Sequence, residues 1–187
     1  MKDFLGIVGF FITVFVGAIL INALLFRSFS VQGPSMEPTL FTGDRLIVNR
    51  IPHAKAVLGG ESYLPDRNQV IVFKNPNESF NGVDQFLVKR VIALPGERVV
   101  LQQGVLAVYK PGQNTPILPD EQSKAPRFPS SGETDTVVPE GEVFVAGDNR
   151  IGNFSLDSRN GLGTVPLENI QGPVAMRIYP FDKTRTF

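Results

Sequence analysis

The sequence predicts a mostly β protein: an N-terminal transmembrane helix followed by an antiparallel β domain with a small inserted loop or subdomain. Three observations carry this. An uncharged apolar run fills residues 4–26, and short β-branched runs alternate with turn residues after it. The 15 Pro and 18 Gly among 187 residues also punctuate the chain too often for a helical bundle. The length accommodates one anchor and one compact domain of ordinary size.

The run "FLGIVGFFITVFVGAILINALLF" would span roughly 34 Å as a helix, enough for a hydrocarbon core of about 30 Å. Thr13 and Asn22 are its only clearly polar side chains. It is too long for a cleavable leader, and no small-x-small site follows it before Arg27, so an uncleaved anchor over residues 1–27 is expected. Lys2 and the α-amine precede the run and Arg27 follows it. This thin balance leans towards a cytoplasmic N-terminus, with residues 28–187 on the extracytoplasmic side. The expectation is a single-pass integral membrane protein whose first partner is the lipid bilayer.

Strands are expected at 45–50, 69–75, 85–94, 97–104, 105–110, 142–147 and 172–180, each bounded by Gly, Pro, Asn or Asp. Two stretches interrupt the pattern. Residues 52–66 have mixed polarity and two adjacent glycines, while residues 111–136 are rich in Pro, Ser and acidic groups. The second is too long for an ordinary connection and reads as the inserted loop.

Composition narrows the chemistry. Lys plus Arg and Asp plus Glu are 18 each, with no basic block, so nothing electrostatic supports a nucleic-acid partner. The absence of Cys excludes thiol catalysis, thiolate metal sites and disulfides. The single histidine, His53, excludes a His-rich zinc site, and HExxH is absent. It lies in "RIPHAKAV" with no obvious partner and reads as a surface-loop residue. A serine nucleophile in this chain would need a different base.

Lys89 and Arg90 break the apolar run "FLVKRVIAL" side by side. Strand alternation sends them to opposite faces, Lys89 with Leu87 and Val91, Arg90 with Val88 and Ile92. At least one charge is therefore pressed into apolar surroundings, where a lysine loses its proton more readily. A lysine tuned towards 7–8 can act as a general base; arginine cannot. Ser35, in "QGPSMEPTL", is a candidate nucleophile for such a base. Taken alone, Ser35 is also what an ordinary turn would use, and Lys89 what a solvated edge strand would carry. A third block, "GDNRIGNFSLDSRNGLGTVP" over residues 147–166, packs Asp, Asn, Arg and Ser as a hydrogen-bonded network would.

"PSMEPTL", "GDRLIVNR", "VKRVIALPGE" and "GDNRIGNFSLDSR" occur in this order behind the apolar run. Together they closely resemble the type I signal peptidases, membrane-bound Ser/Lys proteases that remove signal peptides from exported preproteins. The resemblance covers residues 1 to about 166. It implies that Ser35 is the nucleophile, Lys89 the general base and the Ser35 N–H one oxyanion donor. It further implies that Ser155 orients the lysine amine, and that Arg90, Asp148, Asp157 and Arg159 form ion pairs behind the site. Some members carry a hydroxyl, a second oxyanion donor, where this chain has Gly33. The six residues between "GDNR" and "DSR" are also more than members often have, which bears on choosing Ser155 over Ser158.

The implied substrates are preproteins with small side chains at the first and third positions before the cut, usually Ala-x-Ala. Such a peptide would add as a strand beside residues 29–32 and 86–88. Val31, Met36, Leu40, Leu87 and Val88 are the expected pocket residues. No metal or cofactor is expected. Two other readings are a self-cleaving Ser/Lys peptidase of the repressor type, and an inactive or peptide-binding membrane-anchored β module. The anchor and the four blocks argue against the first; the presence of both Ser35 and Lys89 argues against the second.

Overall fold

The computed structural model describes residues 2–80, 83–122 and 129–187, leaving out the side chains of residues 2, 3, 5, 20–24, 78–80, 83 and 84. Met1 of the expected anchor and residues 123–128 of the expected insert lie outside the described residues.

The uncharged run forms helix α1, Lys2–Leu25. Phe4, Phe10, Phe11, Phe15 and Ile19 on it are exposed. Among the described residues, no helix is long and apolar enough to cross a membrane. The chain then passes directly into strand β1, Phe26–Ser30, and on through β2, Arg45–Asn49, and the short helix α2, Ile51–Leu58. A long hairpin follows, β3, Val70–Phe80, and β4, Val83–Ala93. Next come β5, Arg98–Gln102, β6, Val105–Tyr109, α3, Pro119–Gln122, and β7, Thr134–Val137. The chain closes with β8, Glu142–Ala146, β9, Val165–Pro166, β10, Ile170–Tyr179, and β11, Arg185–Thr186.

The main sheet has the order β1-β2-β10-β3-β4-β8-β9, with β11 on β10, and a smaller sheet has the order β6-β5-β7. Every registered pair is antiparallel, as expected of a chain whose apolar runs are short and turn-bounded. In β2 the alternation is plain: Leu46 and Val48 are buried and Arg45 is exposed. In β3 it vanishes because both faces are covered. Ile71 and Phe73 join one core cluster, while Val70 and Val72 join another with Val31, Met36, Leu40 and Val174. Burying a side chain such as Phe73 stabilises by about 1.5–3 kcal/mol. A third cluster sets Val99, Leu101, Leu106 and Val108 of the small sheet against Ile92 and Phe144, locking the small sheet to the large one.

Two expectations change. Residues 26 and 27, assigned by sequence to the anchor, begin a strand with residues 28–30, because five consecutive ladder partners in β2 outweigh a weak strand pattern. Residues 134–136, the end of the expected inserted loop, form β7 together with Val137 and pair with β5.

Candidate active site

The nucleophile candidate sits where the chain leaves β1. Val31 keeps the strand direction by exchanging backbone hydrogen bonds: its N–H donates to the Asp44 carbonyl and its carbonyl accepts from Gly43 N–H. Gly33 then takes φ +84°, a conformation that favours glycine, and the turn at 34–39 follows. This turn leaves Ser35 half-buried and drives Met36 and Leu40 into the core at 0% exposure.

Lys89 lies in the central part of β4, paired with Ile71 of β3, and is 2% exposed. Its Nζ is 2.8 Å from Ser35 Oγ and 2.9 Å from the Val88 carbonyl oxygen. Burial pushes the amine down from 10.5 to about 8. The anions Asp157 and Asp148 oppose this shift and Arg159 assists it, each by less than burial does. A lysine near 8 has a useful neutral fraction at physiological pH, and its partner is a hydroxyl at hydrogen-bond distance. That combination can move a proton and activate an oxygen nucleophile.

The neighbouring cation goes the other way, as strand alternation requires. Arg90 Nε and Nη2 donate to the two carboxylate oxygens of Asp148 at 2.8 and 2.6 Å, and Nη1 donates to the Asn68 carbonyl. A second pair lies behind the first: Arg159 donates to Asp157 at 2.7 Å, with both side chains fully buried. Asp157 also accepts the N–H groups of Gly147 and Arg159. The four charged residues singled out by sequence thus form two bidentate-type pairs rather than one cluster.

Three expectations need correction or refinement. Ser155 is fully buried beside the site, but its hydroxyl has no hydrogen-bond partner among the described residues. The lysine amine instead meets Ser35 and the Val88 carbonyl, so the expected Ser155–lysine hydrogen bond is not formed. Ser158, the other serine of the block, accepts the Val145 N–H and belongs to the scaffold. Met36 and Leu40 present no surface to a peptide; they form the core beneath the site. Gly33 has open space where a side chain would project, and as glycine it offers no side-chain donor to an oxyanion there.

Val31, Leu87 and Val88 do line an open groove of about 460 Å³, together with Phe29, Gln32 and Phe86 among others. The groove lies between two unpaired sheet edges. Among the described residues, β1 pairs only with β2, and residues 86–88 of β4 pair with β3, while β4 meets β8 from Arg90 onward. Residues 29–32 and 86–88 therefore line the same channel, and Lys89 directly follows its wall residue Val88 along β4.

Two residues escaped the sequence reading. A Cβ at Gly147 would collide with the Ser155 hydroxyl and the Ser35 carbonyl oxygen, so only glycine lets the nucleophile turn approach the polar block. Asn149 clamps that turn: its backbone N–H donates to the Ser35 carbonyl at 3.1 Å and its side-chain amide to the Pro34 carbonyl at 3.2 Å. The sequence signal for both is their place in "GDNR", which names no partner.

A signal peptidase I of Bacillus licheniformis is similar at 32% identity over 173 residues, covering 90% of this chain and 84% of that protein. Signal peptidase I T of Bacillus subtilis (strain 168) is similar at 33% identity, covering 90% of this chain and 81% of that protein. The solved structure of a signal peptidase I from Enterococcus faecalis is similar at 27% identity and TM-score 0.44, covering 59% of this chain and 96% of that one. The family model described as signal peptidase, peptidase S26, matches residues 4–179, and the chain belongs to this family of serine protease hydrolases.

Proposed function

We propose that the protein is a membrane-anchored endopeptidase that removes N-terminal signal peptides from exported preproteins, with Ser35 as nucleophile and Lys89 as general base. The observation that carries this is the 2.8 Å approach of a buried lysine amine to Ser35 Oγ at the end of a strand-lined groove. The substrate adds as an extended strand between the free edges of β1 and β4, its main chain bonding to both. Small side chains at the first and third positions before the cut, as in Ala-x-Ala, fit a wall formed by Val31, Leu87 and Val88.

With the amine neutral, Ser35 Oγ–H donates its proton to Nζ as Oγ bonds to the scissile carbonyl carbon. The negative charge gathers on the carbonyl oxygen beside the Ser35 N–H, a donor type whose loss costs about 10²–10³ in rate. The lysine returns the proton to the leaving amine, releasing the mature chain and an acyl-enzyme. It then takes a proton from water, whose oxygen attacks the ester and frees the signal peptide and Ser35. Asp148–Arg90 and Asp157–Arg159 hold the walls around the amine.

Residues 1–27 supply the anchor in this reading, with the N-terminus cytoplasmic and residues 28–187 working at the extracytoplasmic face. The exposed apolar side chains of α1 support contact with a bilayer. The experiment is cleavage of a defined preprotein by the purified full chain in detergent, followed by N-terminal sequencing of the product. A single cut after Ala-x-Ala is expected; an uncut preprotein, or cleavage at scattered sites, contradicts the reading.

A further inference from the structure

An arginine stacks on two of the groove's aromatic residues. The rings of Phe29 on β1 and Phe86 on β4 have centroids 5.3 Å apart, so they meet across the two free edges. The Arg27 guanidinium lies 5.0 Å from the Phe29 ring centre and 4.7 Å from that of Phe86. Both distances fall within the about 6 Å over which a cation is attracted to a ring face. A long, exposed arginine is thereby held over the channel, in contact with the opposite strand, although nothing in the catalytic steps uses it.

Register places this cation on the substrate. Strands advance about 3.3 Å per residue, Arg27 precedes Val31 by four residues and Phe86 precedes Lys89 by three. Counted from Phe86, the stack therefore lies about 10 Å upstream of Lys89 along β4. An extended peptide cut at Ser35 would arrive there at about its fourth residue before the scissile bond and beyond. In a signal peptide this is where the apolar segment gives way to the cleavage region. A helical apolar segment ends with carbonyls that have no intrahelical partner and carry about half a negative charge. A guanidinium offers five N–H donors in one plane to such a group.

We infer that Arg27, braced by Phe29 and Phe86, forms a specificity-determining subsite that receives the C-terminal turn of the substrate's apolar helix, the guanidinium donating to its unpaired carbonyls. This rests on the groove being the signal-peptide site. A phospholipid headgroup is the competing anion for an arginine beside an anchor. The stacking on Phe86, across the channel, favours the peptide.

The test compares kcat/KM on two substrates with the same cleavage sequence, using the full chain in non-ionic detergent. One is a whole preprotein; the other is a short peptide covering only the three residues on either side of the cut. Arg27→Gln is expected to lower the preprotein-to-peptide ratio by about two- to fivefold, and Arg27→Lys by less, since the charge remains. An unchanged ratio in Arg27→Gln overturns the inference. So does a ratio that falls only in vesicles containing anionic phospholipid, which would assign the arginine to headgroups. Native protein that cuts neither substrate overturns the underlying reading instead, so the two failures are distinguishable.

Discussion

Ser35→Ala and Lys89→Met are each expected to lower preprotein cleavage by about 10⁴-fold or more, leaving the fold intact. Residues that act as a unit in covalent catalysis fail almost as completely singly as together, so the double variant should be little worse than either single one. Methionine nearly matches the lysine stem in shape and removes the need to hold an amine in apolar surroundings. Lys89→Met should therefore melt at or above the native temperature. Lys89→Arg should also be inactive, because a guanidinium stays protonated at every working pH. Turnover within tenfold of native in either purified single variant would remove the dyad from the mechanism.

Asp157→Ala is the largest expected stability effect. The Asp157 and Arg159 side chains are fully buried, and the carboxylate also accepts the Gly147 and Arg159 N–H groups. Deleting one partner of a buried ion pair leaves the other charge uncompensated and costs about 3–5 kcal/mol. Denaturant unfolding of the variant should show this loss, and a change below about 1 kcal/mol would mean that water reaches Arg159. Asp157→Asn keeps the shape and removes the anion that most favours the charged form of Lys89. Its pH–rate profile should shift to lower pH.

The β architecture was legible because its strands announce themselves. Leu46 and Val48 alternate with polar neighbours, and the runs of β3, β4 and β8 end at Pro, Gly or Asn. β1 was not legible, since "FRSFS" has little pattern of its own and is a strand only by pairing with β2. The Ser35–Lys89 pairing could be argued from one histidine, no cysteine and a lysine in an apolar run, then from the four blocks. Local sequence could not say which way the side chains of the nucleophile turn point. Met36 and Leu40 are apolar neighbours of Ser35, yet backbone bonds from Glu37, Thr39 and Leu40 close the turn and bury both beneath the groove. Nor could it pair Asn149 with Pro34, or explain Gly147, whose requirement comes from the approach of Ser35 and Ser155.

The central claim is that a neutral, buried Lys89 activates Ser35, and the pH dependence of kcat/KM on a defined preprotein tests it most directly. Burial holds Lys89 near 8, so only about a tenth of the enzyme carries the neutral base at pH 7. Activity should rise about tenfold per pH unit on the acid side and level off above about 8. A profile flat from pH 6 to 9, or one that falls as pH rises through 8, would contradict it.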